Sequence, residues 1–149
     1  MPLNLDVEYQ LTRLVKHTRT RTMQFLPRIH ESLDYGSYMI LLAIYESSPR
    51  DGVRASDLAE ILGVHKSTVS RTISTLERLG LVNRVPDPSD GRAHLLALAP
   101  ETRNELETIK LERHAYLTET LEAWPESDLS EFARLLGELN EGFDVRSRR

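Results

Sequence analysis

Between Gly63 and Gly80 the chain carries two opposed stripes, which restrict this stretch to an amphipathic helix laid on a core. At about 100° per residue, Val69, Ile73, Leu76 and Gly80 share one narrow sector. Ser67, Arg71, Ser74 and Arg78 share the sector opposite, flanked by Thr68 and Ser70. The aliphatic set has to face inward. The other set combines short hydroxyls with guanidiniums, and Glu77 is the one acid on the helix. Solvated helix faces ordinarily mix Glu with Lys. A surface of Ser, Thr and Arg suits the major groove of duplex DNA, because short side chains permit close approach, hydroxyls and guanidiniums donate to phosphates, and Arg bonds guanine through two donors. A plain amphipathic helix is the alternative reading of the same residues.

The neighbours of this helix, expected over residues 66–79, set it in a larger order. Leu11, Leu14, Val15, Thr18, Thr22, Phe25 and Ile29 recur at helical spacing, which predicts a first helix from about residue 7 to about 25, with Pro27 as its end or a kink. Asp34 is a suitable N-cap for a second helix over residues 35–46, apolar nearly all round and therefore central. Residues 47–52 read as a loop. A short third helix follows over residues 55–62, with Asp57 in its first turn where a negative charge suits the dipole. Its N-cap is Arg54, a poor capping residue, and Gly63 supplies a left-handed turn at its end. After Gly80, residues 81–85 read as a strand, residues 86–92 as a turn-rich loop and residues 93–99 as the returning strand. Pro100 opens a fifth helix striped by Leu106, Ile109, Tyr116, Leu117 and Leu121, Trp124-Pro125 breaks it, and Leu129, Phe132, Leu135, Leu136, Leu139 and Phe143 stripe a sixth. The fold class is therefore mostly α with a small β-hairpin (α+β). At 149 residues the chain has room for one compact domain.

Charge is uneven along the chain. Residues 50–92 carry seven basic and six acidic side chains, whereas residues 101–144 carry four basic and twelve acidic ones. This is the distribution of a DNA reader with a separate non-contacting portion, or of acids that merely solvate outer helix faces. Between Glu8 and Glu31 the only charges are Arg13, Lys16, Arg19, Arg21 and Arg28, a stripe for phosphate or an anionic ligand, or a solvated face with packed alkyl stems. The absence of cysteine removes disulfides, thiolate metal sites and thiol redox sensing. The longest apolar run, residues 38–45, is far short of the ~20 residues of a bilayer span. With no secretory signal at the N-terminus, a cytoplasmic location without membrane contact is expected.

The stretch from Ser56 through Leu58, Ala59, Gly63, Val64, His65 and Lys66 to Arg71, then Leu76-Glu77-Arg78-Leu79-Gly80-Leu81-Val82, resembles the helix-turn-helix of the multiple antibiotic resistance regulator (MarR) family. Ala59, Gly63 and Val69 match its small, turn and core positions, and Asp87-Pro88-Ser89-Asp90-Gly91-Arg92 looks like its wing. Family wings often carry two adjacent arginines near the tip, and Gly91 takes the first place here. The resemblance implies a winged helix-turn-helix with N- and C-terminal dimerisation helices. Residues 34–99 would form the DNA-binding portion, and residues 5–30 and 100–145 the helical dimerisation portion, all within a single domain 1–149. The expected DNA-binding residues are Lys66, Ser67, Thr68, Ser70, Arg71, Ser74, Arg78, Arg84, Asp90 and Arg92. Arg92 would enter or border the minor groove, with Asp90 orienting it.

The stripes on helices one, five and six exceed what one small winged domain covers. Leu11, Leu129, Phe132, Leu135, Leu136, Leu139 and Phe143 are therefore the expected interface with a second copy, the alternative being packing within one chain. The expected function is a sequence-specific transcriptional repressor acting as a homodimer on a palindromic operator. A small aromatic or phenolic effector is implied by the resemblance. His17, Arg21 and Tyr38 are candidate lining residues, without an assigned pocket.

Three other readings fit the residues less well. A metal-responsive regulator would draw on His17, His30, His65, His94 and His114, but no two share a close ligand spacing and no cysteine supports them, so neither metal nor cofactor is expected. A winged-helix protein-interaction module would leave Ser67, Arg71 and Arg92 without purpose. An enzyme is not expected: there is no phosphate-cradling glycine loop, nucleophile elbow or metal-plus-base motif.

Overall fold

The computed structural model describes residues 5–47 and 52–147. Its order is α1 (Leu5–Ile29), α2 (Tyr35–Ser47), α3 (Ala55–Leu62), α4 (Lys66–Arg78), β1 (Val82–Asp87), β2 (Asp90–Leu98), α5 (Pro100–Leu121) and α6 (Glu126–Ser147). This is the winged-helix architecture expected from the sequence. The chain divides into two compact units, Met1–Ile109 and Lys110–Arg149, and the division falls inside α5.

The first unit is built on α2. Asp34 caps this helix as anticipated, its Oδ1 accepting the Ser37 N–H at 2.7 Å. Leu41 and Ile44 of α2, Leu58 of α3, Ile73 and Leu76 of α4 and Leu96 of β2 are all fully buried in one cluster, which Leu26 of α1 joins. The inward stripe read from α4 is therefore the face that holds it. At the end of α3, Gly63 takes φ +62°, and Val64 N–H reaches back to the Ala59 carbonyl at 3.1 Å. Only glycine adopts that backbone cheaply.

Several boundaries differ from expectation. α1 does not stop near residue 25; it runs to Ile29 with Pro27 inside it. Proline costs the helix one internal hydrogen bond, but buried Leu26 and half-buried Ile29 fasten that last turn to the core, and His30 N–H closes it on the Leu26 carbonyl at 3.0 Å. Ser47 ends α2, and the rest of the anticipated loop, residues 48–51, lies outside the described residues. α4 ends at Arg78, with Leu79 as its cap. The hairpin is longer than expected and its tip shorter. β1 continues through Pro86 to Asp87, which faces Asp90, so only Pro88 and Ser89 lie between the strands. The Asp87 carboxylate closes this turn by accepting from Ser89 N (2.8 Å) and Ser89 Oγ (2.6 Å).

The base of the hairpin gains a third partner. Val53 forms an isolated antiparallel bridge to Leu96, with N–H to O distances of 3.0 and 2.8 Å. Gly52 (φ +89°) permits that approach, since a Cβ there would sit 2.8 Å from the Leu96 carbonyl oxygen.

In the second unit, α5 after Ile109 and α6 flank a turn, and the Trp124 ring of that turn stands 5.6 Å from the Phe132 ring of α6. The stripe of α5 changes character along its length: Leu106 and Ile109 are buried, whereas Tyr116 and Leu117 are exposed. No residue of 126–144 is buried. Among the described residues no helix is long and apolar enough to cross a membrane.

Candidate nucleic-acid interface

α4 presents its second stripe to solvent. Lys66, Ser67, Thr68, Ser70, Arg71, Ser74 and Arg78 are all exposed, while Val69, Ile73 and Leu76 are buried. The hydroxyls are not idle. Ser74 Oγ donates to the Ser70 carbonyl at 3.0 Å, Thr72 Oγ1 to the Thr68 carbonyl at 3.1 Å, and Thr75 Oγ1 to the Arg71 carbonyl at 3.3 Å. A carbonyl only accepts, so in each case the hydroxyl proton points back into the helix.

Arg84 stands on β1 beside α4 but is not available in the way the sequence suggested. Its Nε donates to Glu77 Oε1 at 2.6 Å and its Nη2 to Glu77 Oε2 at 3.2 Å, a two-point pair. The single acid of the recognition-like helix thus holds an arginine that would otherwise add to the basic surface. Seven residues separate the partners across the Gly80 turn.

Asp90 and Arg92, at the start of β2 next to the hairpin turn, are exposed. Asp90 meets Arg92 through the backbone, its Oδ1 accepting the Arg92 N–H at 3.1 Å. The ladder pairs Pro86 with His94 and then Asp87 with Asp90, so Gly91, Arg92 and Ala93 bulge out of the register.

The structure also brings in residues that sequence reasoning passed over. Arg54, the non-capping residue ahead of α3, makes no side-chain cap. Its Nε and Nη2 instead donate to Asp87 Oδ2 at 3.0 and 2.5 Å. Asp87 is 5 % exposed. Hydrogen bonds from the Ser89 hydroxyl and backbone, then from Arg54, hold its carboxyl down from an ordinary 3.8 to about 2. Asp87 in turn raises the Arg54 guanidinium above its ordinary value. The misplaced arginine at the N-cap was the one local sign of this link.

The remaining candidates fall as follows. Tyr38 is a core residue, 3 % exposed; Arg21 is half-buried with its guanidinium 6.0 Å from the Phe25 ring, and His17 is exposed. Arg13 and Arg19 of the α1 basic stripe lie over the rings of Tyr9 and Tyr35 at 5.7 and 5.1 Å, the packed-stem arrangement. On α6, Leu129, Leu136 and Leu139 are half-buried and Phe132, Leu135 and Phe143 exposed, as Leu11 is half-buried on α1. Among the described residues no group of three or more His, Asp or Glu side chains is placed to hold a metal ion.

A family model described as the MarR family matches residues 32–93, from the approach to α2 into β2. The uncharacterized HTH-type transcriptional regulator YxaD of Bacillus subtilis is 28% identical over 137 residues, 92% of either chain. The transcriptional activatory protein BadR of Rhodopseudomonas palustris is 28% identical over 114 residues, 76% of this chain and 62% of BadR. Among solved structures, CouR from Rhodococcus jostii RHA1, bound to p-coumaroyl-CoA, has a TM-score of 0.68 at 25% identity, covering 93% of this chain and 94% of CouR. RV1404 from Mycobacterium tuberculosis is similar in fold, with a TM-score of 0.75 at 18% identity over 95% of this chain and 94% of its own.

Proposed function

We infer from this chain's membership of the MarR family of winged helix-turn-helix transcriptional regulators that it binds duplex DNA as a homodimer on a palindromic operator, represses transcription there, and is released by a small aromatic or phenolic effector. The observation that carries DNA binding is the exposed Ser, Thr and Arg face of α4 set beside a hairpin that carries Arg92 at its tip. In this reading Ser67, Arg71, Ser74 and Arg78 lie in the major groove, with Lys66, Thr68 and Ser70 at its edges. Arg92 approaches the minor groove, positioned by Asp90, and Arg84 contributes once Glu77 releases it. The site of action is the cytoplasm, where the chromosome is.

One helix in one groove reads only a few base pairs, and a two-fold dimer doubles the site, with half-sites about one helical turn (~34–36 Å) apart or a multiple of it. Exposed Phe132, Leu135 and Phe143, with half-buried Leu129, Leu136 and Leu139 and with Leu11 on α1, supply the apolar surface for the second copy. CouR, whose structure holds p-coumaroyl-CoA, supports an aromatic acid or its thioester as effector class. A coupling of ~1–3 kcal/mol between effector and DNA is sufficient for release.

The test is a footprint on the promoter region beside this protein's own gene, with and without phenolic acids. A protected palindrome that is lost on adding one of them is expected. Binding with no preference over random duplex at moderate salt refutes the reading. Arg71→Ala should relax base preference and cost ~1–3 kcal/mol on the protected site; unchanged selectivity would mean that another face reads the bases.

A further inference from the structure

Arginine is out of place at position 54 by every local rule. The residue ahead of a helix is favoured when its side chain accepts a hydrogen bond from the first turn, and a cation there faces the positive end of the helix dipole. Arg54 accepts nothing and is not repaid locally. Its guanidinium instead crosses 33 residues of sequence to Asp87, with two donors on one carboxylate oxygen. The other oxygen of Asp87 is taken by the Ser89 backbone and hydroxyl. A carboxylate that is 5 % exposed thus has one side on the approach to α3 and the other on the hairpin turn.

What this anchors is decided by the ladder. Pairing stops at Pro86–His94 and resumes only at Asp87–Asp90, so strand pairing does not fix Gly91, Arg92 or Ala93. The Arg92 backbone is instead held by Asp90, through a 3.1 Å bond, and Asp90 is itself the residue paired with Asp87. A chain of contacts therefore runs from Arg54 to Asp87, across the two-residue turn to Asp90, and on to the Arg92 N–H. Removing Arg54 would leave the Asp87 carboxylate little exposed and without its counter-charge, a situation the turn relieves by moving that group toward water.

We propose that Arg54 is a positioning residue of the DNA-binding surface, which fixes the Asp87–Asp90 turn from outside the hairpin so that Arg92 is held in place for the duplex. Arg54 acts through Asp87 and makes no contact with DNA. The proposal rests on the reading of α4 and the hairpin as the DNA surface, and the experiment separates the two.

Wild type, Arg92→Ala, Arg54→Gln and the double variant are titrated against a fluorescein-labelled random-sequence duplex by anisotropy, from about 50 to about 200 mM salt. Arg92→Ala should weaken binding roughly fivefold and flatten the salt slope by about 1. Arg54→Gln should do the same in direction, and the double variant should be no weaker than Arg92→Ala alone, because a residue that works only by placing Arg92 has nothing left to place. Arg54→Lys, which restores the charge but not the two-donor fork, should recover part of the loss. Asp87→Asn cuts the same link from the other end and should match Arg54→Gln, which covers the case in which Arg54→Gln does not fold. Arg54→Gln binding like wild type, losses that multiply in the double variant, or an Arg92→Ala variant without loss each overturn the proposal. Wild type that fails to bind the duplex even at the lowest salt overturns the DNA reading itself.

Discussion

Replacing Glu77 with Gln should tighten DNA binding, and the size of the gain follows from the Glu77–Arg84 pair. Its two contacts of 2.6 and 3.2 Å join side chains that are 27 % and 52 % exposed, so water and salt screen it. Pairs of this kind are worth ~0–1 kcal/mol, and their loss barely moves the folding equilibrium. The gain is larger. Arg84 becomes available to a phosphate, and each such contact adds about 0.9 to the slope of log K against log salt. Measured down from about 1 M salt, where that contribution vanishes, a slope of 0.9 amounts at about 0.15 M to roughly fivefold, or about 1 kcal/mol. Loss of the acid also removes a negative charge from the edge of the reading helix. Anisotropy titrations of wild type and Glu77→Gln against one duplex over a salt series measure affinity and slope together, and a thermal melt of each checks that the fold is kept. A steeper slope with tighter binding is expected. If Glu77→Gln binds no better and the slope is unchanged while the melt is the same, Arg84 does not face DNA, and the pair serves only to join α4 to β1.

Other consequences are open to simple measurement. Gly52→Ala should destabilise the fold by at least ~1–2 kcal/mol for its left-handed backbone alone, with more from the 2.8 Å approach of the new Cβ to the Leu96 oxygen; a denaturant melt within about 0.5 kcal/mol of wild type contradicts this. Leu135→Asp, at a position 48 % exposed in the single chain, should spare the monomer fold but abolish dimerisation. Size-exclusion chromatography would then show monomer, and the concentration dependence of the melting temperature would vanish; an unchanged dimer moves the interface off α6. The Asp87 carboxyl sits at about 2 in the fold against an ordinary 3.8, and a depressed acid stabilises the fold above its unfolded value and loses that contribution as pH falls. The difference in melting temperature between wild type and Asp87→Asn should therefore be constant above about pH 5 and shrink between about pH 4 and pH 2, and a difference that widens on acidification refutes the assignment.

The elements that could be read from the sequence were those governed by neighbours close in the chain. Gly63 and Gly80 punctuate the helix pair, Asp34 caps α2 and Pro100 opens α5, each by a rule that operates within a turn or two. The two faces of α4 followed from periodicity alone, and Arg71 and Ser74 are exposed where that periodicity put them. Pro27 misled because a local helix-breaking rule was outweighed by the burial of Leu26. The hairpin tip is shorter than the sequence predicts, because turn-rich composition across residues 86–92 does not say which pairs of residues will face each other. Glu77–Arg84 and Arg54–Asp87 were invisible, since each joins residues whose nearness is created by the fold. Only the odd choice of arginine ahead of α3 left a trace of the second.

With α4 in the major groove, as proposed, the direction of the Ser74 hydroxyl would bear on which bases the helix prefers. With its proton committed to the Ser70 carbonyl, the oxygen turns lone pairs toward solvent. A groove edge that offers an amino group, adenine N6 or cytosine N4, satisfies that oxygen without disturbing it. A phosphate or a guanine edge, which offers only acceptors there, requires the rotor to swing and to abandon a bond worth about 1 kcal/mol. On the proposed reading the helix leaves no unsatisfied donor at this position, and discrimination at the matching base pair would follow from which partner requires the hydroxyl to turn.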